Sequence, residues 1–239
     1  MRKFIVVFLI FSFSPIFYNL AQEKKNNDVY QSAPIELLLK GVMNGETTIG
    51  ELKKHGNFGL GTFNGVDGEM VVLDGVVYQI KGSGKVDVPS NSVKTPFGNV
   101  TFFRADTTIL LKDTLSFKSF NEFLDKNLPS KNLIYAVKVT GEFTSLKARS
   151  ENKQTKPYKD LYDVLKNQDV FSYIQINGTL VGFKYPDYIG GVNVPGYHFH
   201  FISADKKEGG HVLDFVTKQV KIEIEYLSKL DLRIPTAGN

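Results

Sequence analysis

The chain has 239 residues, no cysteine and no tryptophan, and 29 Lys+Arg against 25 Asp+Glu give it a net charge of +4. That length suits one large domain or two small ones. The lack of cysteine excludes disulfides, thiolate metal ligands, a cysteine nucleophile and a lipid-modified cysteine, and the small charge, with no face rich in arginine and aromatics, does not imply nucleic acid as a partner.

The first stretch, "MRKFIVVFLIFSFSPIFYNLA", places Arg2 and Lys3 before an apolar run and ends on the small residue Ala21. It is predicted to be a signal peptide, residues 1–21, cleaved near Ala21 to release a secreted or periplasmic protein. A bilayer span needs about 20 mostly apolar residues. This run is shorter and is followed at once by "QEKKNN", so no stable membrane anchor is expected.

"IELLLKGVMNGETTIGELKKHG" spaces Leu37, Leu38, Val42 and Met43 as in a helix and breaks at glycines, predicting short helices with "TTIGELKKHG" as a separate turn. From Phe58 the period becomes two. "GEMVVLDGVVYQI" predicts a hairpin, because Asp74-Gly75 suits the positive φ angles of a type I′ turn. Strands are predicted at 100–104, 107–111 and 133–149, and "KPYKDLYDVLKNQ" predicts a connecting helix with Leu161, Val164 and Leu165 on one side. Strands "VFSYIQING", "TLVGFKYP" and "KQVKIEIEYL" follow, the last alternating Val220, Ile222 and Ile224 with Lys221, Glu223 and Glu225. The expected fold is a sheet-rich α/β (α+β) protein, divided after the leader into residues 22–165 and a C-terminal part, 166–239.

Three of the four histidines, His198, His200 and His211, fall within "GYHFHFISADKKEGGH". On a strand, Tyr197, Phe199 and Phe201 face one side while His198, His200 and Ile202 face the other. A hairpin would return His211 close to the pair, although the register is not fixed by sequence. Three neutral imidazoles with an open position suit a catalytic divalent metal, zinc before iron, nickel, manganese or copper. The plain alternative is partly buried histidines satisfied by backbone groups.

The segments "HGNFGLGTFNGVDGEMVVLDGVVYQI", "TGEFTSLKAR" and "GYHFHFISADKKEGGHVLDF", in that order, resemble the acetolactate decarboxylase family over nearly all of the chain after the leader. The resemblance implies two domains, a large mixed sheet and a smaller antiparallel sheet with the metal between them, often in a homodimer. It also implies one Zn2+ per chain and conversion of 2-acetolactate, a 2-hydroxy-3-oxo acid, to acetoin and carbon dioxide for acetoin biosynthesis, with no thiamine or pyridoxal group required. By position, His198, His200 and His211 match the zinc ligands, Glu69 the substrate-facing glutamate, Arg149 an arginine of the same site and Thr62 a pocket threonine. The family's better-known secreted members add a glutamate from a C-terminal tail, and neither Glu223 nor Glu225, both on the polar side of a predicted strand, matches it.

Taken without the resemblance, these residues have plainer readings. Glu69 reads as an exposed residue beside a hairpin and Arg149 as solvated surface. His55 reads as a turn residue, and "GNFGLGTFNG" lacks the spaced lysine of a phosphate cradle. Other functions compatible with the histidines are a metal-dependent lyase or hydrolase of different specificity, or a non-catalytic protein that binds a metal or small ligand.

Overall fold

The structure is a computed structural model that describes residues 27–236; the predicted leader lies outside them. The chain runs from β1 (Asp28–Gln31) to α1 (Ile35–Leu39), β2 (Thr47–Thr48), α2 (Ile49–Leu52) and β3 (Phe58–Thr62). It continues with β4 (Glu69–Leu73), β5 (Val76–Ile80), β6 (Val86–Asp87), β7 (Lys94–Thr95), β8 (Gly98–Thr101), β9 (Thr107–Leu111) and α3 (Phe117–Asn127). The last elements are β10 (Ile134–Ser150), α4 (Leu161–Leu165), β11 (Asp169–Tyr185), β12 (Gly196–Ser203), β13 (Gly209–Leu227) and β14 (Lys229–Leu232).

The predicted hairpin is β4–β5, and Asp74 and Gly75 at its tip have φ of 51° and 79°, as the type I′ turn demands. The predicted strand at 107–111 coincides with β9. "TTIGELKKHG" contains a short helix, α2, whose start is fixed by the Thr48 hydroxyl accepting from the Glu51 N–H. The helix expected across "KPYKDLYDVLKNQ" shrinks to α4. "VFSYIQING" and "TLVGFKYP" are one strand, β11, paired with β10 through Gly178. The chain passes through that glycine because a side chain there would strike the Phe201 ring.

Seven strands form a large sheet in the order β14-β1-β8-β3-β4-β5-β6, mixed because β1 and β14 run parallel. Five antiparallel strands form a small sheet, β10-β11-β12-β13-β9, in which β10 also pairs with β13, so that β10 to β13 curl into a ring. A further pair, β2–β7, stands apart. The small sheet takes β9 and β10 from before position 165 and β11 to β13 from after it, and β14 returns to the large sheet.

Alternation of side chains gives the small sheet two apolar faces. Inside the ring, Phe143, Phe199, Phe201 and Phe215 meet Phe120 and Leu124 of α3. Edge-on pairs such as Phe120–Phe215, with centroids 5.2 Å apart, each add about 0.5–1.5 kcal/mol beyond area burial. The opposite face packs Ala136, Val181, Phe183 and Ile202 against Leu60, Val71 and Ile80 of the large sheet. This packing of sheet against sheet corrects one expectation. Glu225 does not point to solvent on a polar face but is wholly buried, where it accepts a hydrogen bond from Thr101 Oγ1 at 3.2 Å, because the large sheet covers that end of β13.

Candidate metal and catalytic site

The strand alternation predicted for "YHFHF" holds. Phe199 and Phe201 enter the ring core, while His198 and His200 share the side of Ile202, which faces the large sheet. Register supplies what the sequence left open: His211 lies opposite His200 across β12–β13 and opposite Arg149 across β13–β10, so the three stand in one row. Gly210, at φ 141°, makes the row possible, since a Cβ there would collide with the Arg149 carbonyl.

The imidazole nitrogens converge. His198 Nε2 lies 3.2 Å from His200 Nε2 and 3.1 Å from His211 Nδ1. Tetrahedral ligands at about 2.0–2.1 Å from zinc stand about 3.3 Å apart, so the cluster has the spacing of a ligand set. His200 donates from Nδ1 to the Met70 carbonyl at 2.8 Å, which fixes its tautomer and aims the Nε2 lone pair at the cluster. Burial pushes the His198 and His200 pKa values down to about 3, and His211 is driven in the same direction by burial and by Arg149, so all three are neutral and able to coordinate. The donor set fits a divalent ion such as zinc.

Glu69 and Arg149 are not surface residues. The sequence-only reading is corrected in both cases by the second sheet: Glu69 heads β4 of the large sheet, and Arg149 leaves β10 on the side facing that sheet. Their side chains are 7% and 11% exposed. Arg149 Nη1 lies 3.3 Å from Glu69 Oε1, and Glu69 Oε2 lies 3.2 Å from His200 Nε2. Burial raises the Glu69 pKa against the opposing pull of Arg149 and His198, and burial lowers that of Arg149. Thr62 pairs with Glu69 across β3–β4, but its hydroxyl donates to the Gly68 carbonyl at 2.7 Å. It lines the pocket with its hydroxyl already engaged.

These groups share a cavity of about 240 Å³. Leu38, Val66, Phe97 and Leu161 form apolar wall, and Tyr162, 66% exposed, stands at the mouth. Sequence reasoning missed this wall, because α1, α4 and the Val66 turn meet only in three dimensions. It also missed Glu151, buried beside Arg149. The alternation of Arg149 with Glu151 was the available signal. His55 lies elsewhere, stacked on Tyr30 with ring centroids 3.9 Å apart.

The sequence profile of the alpha-acetolactate decarboxylase family matches residues 29–239. An alpha-acetolactate decarboxylase of Methanosarcina mazei is 46% identical over 92% of this chain and 78% of its own length, and one of Methylococcus capsulatus is 43% identical over 93% and 85%. The crystal structure of the alpha-acetolactate decarboxylase from Bacillus subtilis strain 168 superposes with a TM-score of 0.86 at 35% identity, covering 88% of this chain and 90% of that one. With the profile spanning nearly every described residue and the same fold recurring in a solved relative, the chain belongs to the alpha-acetolactate decarboxylase family.

Proposed function

We propose that this protein decarboxylates 2-acetolactate to acetoin and carbon dioxide with one zinc ion per chain, and that the large and small sheets form two halves of the site with the metal between them. The observation that carries this reading is the convergence of His198, His200 and His211 in one cavity with Glu69 and Arg149. A storage or structural metal site has no need of a buried carboxyl and a guanidinium beside the ligands.

His198 Nε2, His200 Nε2 and His211 Nδ1 would hold the zinc ion, which would supply Lewis-acid polarisation of the substrate's ketone. Arg149 pairs with the substrate carboxylate and orients it for departure. Glu69, whose proton is retained more firmly because it is buried, delivers that proton to the carbon left with the electron pair. The apolar wall receives the methyl groups and keeps water from the reacting carbons. In the same reading, residues 1–21 direct export, and the exported chain begins near Gln22.

The test is acetoin formation from racemic acetolactate by zinc-reconstituted protein, measured above the spontaneous rate with and without a chelator. Turnover that chelation abolishes supports the reading, and zinc-loaded protein no faster than the spontaneous reaction refutes it.

A further inference from the structure

Glu151 follows β10 and sits at 2% exposure beside the cavity. Its carboxylate contacts Arg149 Nη1, the atom that also reaches Glu69. Among the described residues no other donor hydrogen-bonds to either Glu151 oxygen. Burying a carboxylate against a single cation costs desolvation that the pair does not clearly offset, so stability alone does not account for its place here. The backbone around it is pinned: the Ser150 hydroxyl donates to the Ile80 carbonyl at 2.7 Å, the Asn152 amide to Asp169 at 2.7 Å, and the Gln154 N–H to the Gly65 carbonyl at 2.7 Å. Glu151 is therefore held where it is by the fold rather than drifting toward a charge.

We infer that Glu151 is a positioning residue that acts through Arg149; the catalytic role of Arg149 itself rests on the decarboxylase reading. Both carboxylates meet the guanidinium at Nη1. That clamp immobilises the planar fork and leaves its Nε and Nη2 edge for bidentate pairing with an incoming carboxylate. Because the Glu151 oxygens are buried and their one contact is the guanidinium, they hold it rather than touch the substrate. The charges agree with this role. Glu151 offsets the charge of Arg149, and a divalent cation on the histidines would leave the site positive and draw in a monocarboxylate substrate. The product, which has lost its carboxylate, is no longer held by charge.

The test is a double-mutant cycle on zinc-reconstituted protein, read as the Kd for 2-hydroxy-2-methylpropanoate by calorimetry and as kcat and KM for acetolactate. Glu151→Gln should weaken binding of this unreactive anion, and raise KM, by about 10-fold, with kcat changed less than about 3-fold and melting temperature and zinc content retained. In an Arg149→Ala background the same change should alter affinity less than about 2-fold, because the residue it positions is gone. Glu151→Asp, which keeps the charge and draws it back by one methylene, should lie between Gln and wild type, and it carries the test should the amide unfold the chain. Equal losses in both backgrounds, wild-type affinity in Glu151→Gln, or no binding of the anion by the wild type would each overturn the inference. Wild type that binds the anion through Arg149 yet forms no acetoin would instead remove the decarboxylase reading and leave the clamp standing.

Discussion

Replacing Glu69 by glutamine separates proton delivery from metal binding. The carboxyl lies 3.3 Å from Arg149 Nη1, 3.2 Å from His200 Nε2 and 4.0 Å from His211 Nδ1, so the isosteric amide keeps its oxygen toward Arg149 and fills the same volume. The guanidinium keeps its counter-charge, since Glu151 remains against it. The stability loss should therefore fall below the about 3–5 kcal/mol of an orphaned buried charge. An amide has no carboxyl proton to give, and positioned acids contribute about 10²–10⁴-fold, or about 3–5 kcal/mol of barrier. The expected outcome is a turnover number lower by that factor, a smaller change in KM, and zinc content equal to wild type. Steady-state acetoin assays with metal analysis of the same preparation check it. Near wild-type turnover would refute the acid role, and lost zinc would make Glu69 a ligand or a support of one.

Arg149→Ala should raise KM and lower kcat together, unlike Glu69→Gln, because it removes the carboxylate anchor; an unchanged KM in the acetoin assay would contradict that role. Stripping metal with a chelator and returning zinc should raise the melting temperature, by the equivalent of about 4 kcal/mol at a thousandfold excess over Kd. His200→Ala, which deletes a proposed ligand wholly buried against Met70, should show no such zinc-dependent rise in calorimetry. Mass spectrometry of exported material should find an N-terminus near Gln22, whereas retained Arg2 in a membrane fraction would overturn the leader assignment.

Much of this architecture was legible because local chemistry decided it. Asp74-Gly75 admits few turns other than the one found, and the His-x-His alternation put two imidazoles on one side of β12 whatever the rest of the fold did. What was lost depended on the other sheet. A period of two cannot reveal that both faces of a strand are covered, so Glu69, Arg149 and Glu225 read as solvated although each meets the opposing sheet or the cavity between them. Helix α3 was passed over despite a readable signal: the Ser116 hydroxyl accepts from the Ser119 N–H at its start, and Phe120 and Leu124 recur one turn apart. The register that sets His211 beside both His200 and Arg149 arises from long strands, a shift between Lys147 and Ala148, and Gly210 at close quarters. No local sequence signal carries it.

Under the proposed function, acetoin formation depends on one metal ion held by His198, His200 and His211. Titrating metal-free protein with zinc while following acetoin production from acetolactate measures this dependence. The rate should rise in proportion to zinc and level off at about one equivalent per chain. A rate that is independent of zinc, or that still saturates at one equivalent after His198→Ala, would contradict it.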